Sequence, residues 1–322
     1  MVHLRIVVPL DRSRRAMALL EAAPSVCNLI YLPQAARQPT GDVILCDVAR
    51  EDASVVIDDL KEMGVHHDGS ISLEQIDSQI SHAAKEAERA ARGSPSDAVV
   101  WEEVEARTSE STELGGNFLI FMVLACLIAS VGIFTGSPIL IVGAMVVGPE
   151  FGPIAGLCVA IVERRFPVAL RSLTALAVGF PIGITAAFLF TIASQETGLL
   201  GQDFTSANHP LTQFISHPDG FSFIVAAFAG TAGVLSLTSA KSGALVGVLI
   251  SVTTIPAAAN VGVAAAVADW SEWRGAMAQL TINLAAILLA GVVTLSVQRG
   301  FFERRRRRHL SEKTQAEHAQ SL

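Results

Sequence analysis

Between Phe118 and Gln298 the chain holds only 12 of its 53 charged side chains, so 181 of its 322 residues form one nearly uncharged block. A soluble fold of that size needs a polar exterior, which these residues do not supply. Polar punctuation divides the block into stretches of about 20 residues, the length at which a helix crosses the hydrocarbon of a bilayer. The class expected is therefore an α-helical polytopic membrane protein. Composition agrees, at 51% hydrophobic and 16% charged residues with a mean hydropathy of +0.48. The net charge of −7 argues against nucleic acid as a partner. Cys27, Cys46, Cys126 and Cys158 are scattered and form no CxxC pair. They read as small core residues, with neither a disulfide framework nor a zinc site. The opening MVHLRIVVPLDRSRR has too short an apolar run for a signal peptide and is expected to stay uncleaved in the cytosol.

Ahead of the apolar block, residues 3–92 alternate between strand and helix patterns. HLRIVVPL reads as a buried strand, and the next segment opens a helix with Asp11 as N-cap and Ala16, Leu19 and Leu20 on one face. SVCNLIYL and DVILCDVA are two further strands joined through Pro39, Thr40 and Gly41. EDASVVIDDLKEMG is a second helix, with Gly64 where a C-terminal glycine belongs, and VHHDGSISL a last strand. The order βαββαβ predicts a ferredoxin-like α+β head over residues 1–80. His66, His67 and Asp68 are its metal-capable cluster. On a strand, neighbours point to opposite faces, so an edge strand is the preferred reading over a metal site. Residues 81–116 read as two charged connecting helices, Ser81 to Arg92 and Asp97 to Ser111, separated by a short break. Trp101 and Val104 form an apolar stripe on the second, which suits packing on the membrane surface or on a neighbouring subunit, with a solvated connecting helix as the preferred reading.

The transmembrane domain, 117–298, divides into six expected spans: Phe118–Thr135, Pro138–Val162, Phe166–Ala193, Phe221–Ala240, Ser242–Ala268 and Ala276–Gln298. The second is interrupted by GAMVVGPEFGPIAG and the fifth by SVTTIPAAAN, Ser251 to Asn260. A shift of 104 residues lays Gly143 on Gly247 and Glu150 on Thr254. The two interruptions then coincide in two three-span units, 118–193 and 221–298. An odd number of spans inverts one unit relative to the other, and paired broken helices in inverted repeats are a transporter plan with the site at the breaks. Arg164, Arg165, Lys241, Arg299 and Arg304 to Arg308 fall on one side, which places both termini in the cytoplasm. Trp270 and Trp273 fit an outer interfacial belt. The basic tail, 299–322, reads chiefly as a topology signal, with anionic lipid headgroups as a further attraction.

Ile128 to Leu157, IASVGIFTGSPILIVGAMVVGPEFGPIAGL, carries Ser137, Pro138, Gly143 to Met145, Pro149, Gly152 and Pro153 in an arrangement that resembles domain-of-unknown-function family 389. Its members are prokaryotic integral membrane proteins with an uncharacterized hydrophobic domain. The resemblance covers Phe118 to about Phe190, and the head and second half fit the family's layout. It implies no substrate. At the position of Glu150 the family is usually apolar, so a carboxylate there is not implied as a shared mechanism.

Glu150 is the acidic residue set well inside an expected span, and an ionisable group at that depth is a functional candidate. At a helix break it can hold a cation together with freed carbonyls, or exchange protons, unless it is merely solvated in a vestibule. The candidate solute or ion site comprises Gly148, Pro149, Glu150, Gly152 and Pro153 with Thr253, Thr254, Pro256 and Asn260. Hydroxyls and amides in helices also bond within their own helix or join helices, the competing reading for Thr253, Thr254, Asn260, Gln279 and Asn283. Asp203, His209, His217 and Asp219 read as solvated loop residues. No nucleophile–base pair, HExxH, P-loop or dinucleotide fingerprint is present, so neither enzymatic activity nor a cofactor is expected. The expectation is a transporter or channel-like protein for a small solute or ion, homo-oligomeric and in contact with lipid, with a regulatory head. The rival is a membrane-anchored sensor or scaffold whose head binds a ligand or partner. Gly179, Gly183, Gly230 and Gly233 permit close helix packing within or between subunits.

Overall fold

The computed structural model describes residues 1–76, 78–91, 98–200, 220–239 and 244–320. The chain divides into two units: Met1–Val104 with Thr238–Lys241 and Phe301–Leu322, and Glu105–Leu237 with Ser242–Gly300.

In the first unit the elements run β1 (Val2–Val8), α1 (Ser13–Ala22), β2 (Val26–Arg37), β3 (Thr40–Val48), α2 (Arg50–Glu62), α3 (Val65–Asp68), β4 (Ser70–Gln75) and α4 (His82–Ala90). The βαββαβ order is as read, with α3 added. The sheet is antiparallel throughout, in the order β2-β3-β1-β4. Alternation along β1 turns Val2, Leu4, Ile6 and Val8 into the core, where Ala16 and Leu20 of α1 and Val56, Ile57 and Leu60 of α2 cover them. Cys46 lies in that core, and burial pushes its thiol up to about 12.

Two local expectations are corrected. Arg12, not Asp11, occupies the N-cap of α1 and makes no side-chain cap; its guanidinium reaches across instead to the Gly64 carbonyl at 2.6 Å and to Asp68 at 2.9 Å. His66 to Asp68 form the helical turn α3, not the start of a strand. Gly64, at φ +74°, ends α2 in the left-handed conformation expected of it and redirects the chain into that turn.

The connecting helix α5 (Trp101–Ser111) begins on α2. The Trp101 amide donates to Ser54 Oγ at 3.0 Å, Glu102 accepts from Ser54 and Lys61, and Glu103 pairs with Arg50. Trp101 and Val104 are buried there, so the apolar stripe packs on the head. An adjoining face of α2 receives the basic tail, whose Phe302 ring lies 6.3 Å from that of Trp101. Arg306 pairs with Glu62 at 2.6 Å and Asp58 at 3.2 Å, Arg305 donates to the Glu51 carbonyl, and His309 lies 3.5 Å from Asp59. Reading these arginines as a topology signal misses that contact, although the acidic run Asp58, Asp59, Glu62 one helical face away was its visible counterpart.

The second unit contains α6 (Gly116–Thr135), α7 (Pro138–Val147), α8 (Phe151–Val162), α9 (Phe166–Glu196), α10 (Gly220–Thr238), α11 (Ala244–Ala266) and α12 (Trp270–Gln320), the last crossing into the first unit after Gly300. Among the described residues four helices are long and apolar enough to cross a membrane: α6, α9, α10 and Trp270–Arg307 of α12. The pair α7 and α8, bent by 53° at its break, adds a fifth if it is one span, and Thr254–Ala266 of α11 is a shorter apolar helix. Six spans were expected; the structure supports four to five. The outward faces are as apolar as the interior, with Phe121 49%, Leu289 61% and Phe228 70% exposed, an exterior suited to lipid rather than water.

The larger correction concerns the second interruption. Ser251 to Asn260 does not break: α11 passes through Pro256 as one helix. A proline removes one backbone bond, but a helix held on all sides keeps its course. From Thr254 to Ala264 every residue of α11 is buried, packed among α6, α7 and α9. Where α11 meets α9, a Cβ on Gly262 would stand 2.5 Å from the Ile184 carbonyl oxygen. Gly179 faces Phe118, Gly183 faces Cys126 and Met122, and Gly230 faces the Ile287 backbone, so three of the four small residues singled out serve packing within the chain.

Candidate functional site

The break between α7 and α8 follows from its residues. Proline disfavours the α conformation in the residue before it, and Gly148 complies at φ −58°, ψ 125°. Pro149 also brings no amide for the carbonyl of Met145. Helix α8 restarts with Glu150 at its N-cap, which puts Gly152 and Pro153 in its first turn, where a missing amide costs nothing.

Glu150 is fully buried, yet its side chain does not cap α8. The carboxylate folds back over the end of α7 instead: a Cβ built on Gly148 would lie 2.5 Å from Glu150 Oε2 and 3.2 Å from Oε1. The Thr254 hydroxyl of α11 donates to Glu150 Oε1 at 2.7 Å, with both residues fully buried. Ile255 completes the wall, its Cγ1 at 2.8 Å from the same Gly148 position.

The Thr254 bond decides between the two readings of its hydroxyl. Elsewhere in these helices Ser130, Thr174, Thr191, Thr231, Thr281 and Thr294 all donate to the carbonyl four residues back, at 2.7–3.0 Å, the ordinary way for a helix to satisfy a hydroxyl in an apolar setting. Thr254 reaches to another helix and to a carboxylate.

The other candidates are not gathered at this point. Asn260 lies six residues beyond Thr254, about 9 Å along the axis and roughly 120° round the helix. It is fully buried, and neither polar atom of its amide has a hydrogen-bond partner among the described residues. Pro256 sits inside α11, and the Thr253 side chain lies outside the described residues. Gln279 donates to Asn283 at 3.3 Å along α12, the within-helix alternative weighed for them. In the head, His66 and His67 stack on each other and Asp68 pairs with Arg12. No group of three metal-capable side chains occurs among the described residues. Asp203, His209, His217 and Asp219 lie outside them. Sequence reasoning missed Ile255 as a site residue, since nothing marks one isoleucine in an apolar helix as the one that faces a break.

Residues 145–289, which include Glu150, Thr254 and Asn260, match the family described as Domain of unknown function (DUF389). An uncharacterized protein of the archaeon Methanocaldococcus jannaschii is 26% identical over 198 residues, which are 62% of this chain and 59% of that protein. The chain thus matches less than two thirds of that relative's length. No solved structure matches.

Proposed function

Starting from a chain whose residues 145–289 carry the domain of this family of unknown function, we propose that it moves a small solute or ion across the membrane, with the α7–α8 break as the site. The observation that carries the reading is the buried bond from Thr254 to Glu150. An anchoring helix needs neither a midpoint break nor a carboxylate folded into it, and keeping both in hydrocarbon costs free energy that function must justify.

The inverted-repeat reading supplies a second support. Glu150 and Thr254 are the residues that a 104-residue shift superposes, and equivalent positions of two inverted units meet where their pseudo-two-fold axis passes. On this reading the spans number six, the termini are cytoplasmic, and the units have diverged at their centres: the first breaks while the second, α11, stays whole. The head, whose α2 holds both α5 and the basic tail, is its regulatory part.

The test is osmotic swelling of proteoliposomes containing the full chain, followed by light scattering in salts, polyols and amino acids. The wild-type chain is expected to accelerate swelling for at least one solute, and Glu150→Gln to return it to the protein-free rate. If no solute enters faster than into protein-free vesicles, the sensor or scaffold reading replaces transport.

A further inference from the structure

We infer that the buried Asn260 amide of α11 is a hydrogen-bonding point for a neutral polar solute, a small molecule such as a polyol or urea that carries both a donor and an acceptor. The inference rests on the membrane unit being a solute path. It deepens that reading by naming the solute class and by adding a second point of contact to the α7–α8 break.

Asn260 is fully buried, and neither its Oδ1 nor its Nδ2 has a hydrogen-bond partner among the described residues. Ser130, Thr191 and Asn283 are buried as completely and find partners on their own helices. The two hydroxyls donate to the carbonyl four residues back, and Asn283 accepts from Gln279 one turn away. Asn260 has no such neighbour. The positions one turn to either side of it are Pro256, Ala257, Val263 and Ala264, all buried and none with a polar side chain. Counted along the helix, Asn260 stands about 120° from Thr254 and about 160° from Gly262. Its face of α11 is therefore turned away both from the Glu150 that Thr254 reaches and from the α9 backbone that Gly262 meets.

An amide buried with both polar atoms unused destabilises the fold, because each gave up its hydrogen bonds to water on burial. Leucine has a similar volume and no polar atom to leave unmet, so packing alone favours leucine at this position. What asparagine offers instead is a donor and an acceptor side by side, both uncharged. A hydroxyl or amide group on a solute meets the two together. An ion would use one of the two atoms and leave the other unmet, and Pro256, Ala257, Val263 and Ala264 bring no countercharge to that face of α11. Pro256, Ala257 and Ala264 are small, so no long side chain of the same helix covers the amide. Since Asn260 is fully buried, the solute reaches it only when the helices around α11 part, as alternating access requires.

The experiment pairs solute entry into proteoliposomes with thermal unfolding in detergent, both on the full chain, for the wild type, Asn260→Leu and Asn260→Ser. Erythritol, urea and KCl are the solutes. The wild type should speed the entry of erythritol and urea. Asn260→Leu should cut that entry about tenfold, the equivalent of one hydrogen bond, while leaving Tm equal or higher. Asn260→Ser, which keeps a donor and an acceptor, should retain most of the entry. An Asn260→Leu chain that still passes both solutes at the wild-type rate overturns the inference. So does one with a lower Tm, which would give the amide a structural role. Entry of KCl without erythritol or urea overturns the solute class and leaves transport standing. If none of the three enters, transport falls and binding is decided by Tm: a saturable rise with erythritol that Asn260→Leu lacks supports the inference, and equal responses in the two chains overturn it.

Discussion

Among the apolar stretches that carry a proline at mid-length, two that meet each other in the fold behave differently. At Gly148–Pro149 the backbone leaves the helix and α7 and α8 diverge by 53°; at Ile255–Pro256 the helix continues. Each proline presses the residue before it towards extended conformations. Gly148 has no side chain to hold it in place. Ile255 has one, fully buried against the end of α7, and unpacking it would cost about 1.5–3 kcal/mol. A proline's effect in an apolar helix therefore depends on what its neighbour would lose by moving.

The sharpest way to break this comparison is to loosen the packing that holds α11. Gly262→Ala places a Cβ 2.5 Å from the Ile184 carbonyl oxygen and 2.9 Å from the Phe188 amide, both backbone atoms that cannot swing aside. It should destabilise the full chain by about 2–3 kcal/mol, read as a lower Tm in detergent. Gly143→Ala, where a Cβ meets nothing within 4 Å, should be neutral or slightly stabilising. Similar losses in the two variants would show that α11 is not clamped.

Next come the prolines themselves. Pro149→Ala returns an amide to Met145 and lets Gly148 become helical, so it should straighten the break and cost about 1–2 kcal/mol through the lost Thr254–Glu150 bond. Pro256→Ala restores a donor inside a helix already formed and should stabilise by about 1 kcal/mol, part of the ~3 kcal/mol that proline costs in a helix interior. Opposite signs sharpen the distinction; equal signs erase it.

The smallest effect lies in the head, where a buried carboxylate is satisfied in full view of its partners. Burial alone would push Asp47 up, but hydrogen bonds from Asn28, His3 and Gln79, at 2.6–2.7 Å, outweigh it and hold the carboxyl below its usual range. A carboxyl lower in the folded than in the unfolded chain adds stability that is complete above the unfolded value, about 3.9, and is lost as pH falls through the folded value. Acid unfolding of the wild type should therefore steepen below about pH 4. Asp47→Asn should flatten that dependence while leaving solute flux through the membrane site unchanged.

Much of this was legible in the sequence because it depends on local pattern. Alternation in HLRIVVPL announced the inward face of β1, Gly64 announced the end of α2, and the Gly148–Pro149 pair announced a break. The pattern failed where distant residues decide. SVTTIPAAAN carries breaking residues, yet α6, α7 and α9 enclose it and keep it helical. His66 to Asp68 read as strand but turn as a helix once Gly64 and Arg12 are in place. Arg306 showed no partner in the sequence until α2 brought Asp58 and Glu62 beside it.

For the site the division is similar. By itself the sequence determined that a carboxylate stands beside a proline-induced break in an apolar helix, because backbone sterics and hydropathy act between near neighbours. Only the tertiary structure decided that Glu150 turns back over α7 instead of capping α8, and that Thr254, 104 residues away, spends its hydroxyl on Glu150 and not on its own helix. Those choices depend on which helix lies alongside, and in a bilayer a buried polar group takes whichever partner packing brings within reach.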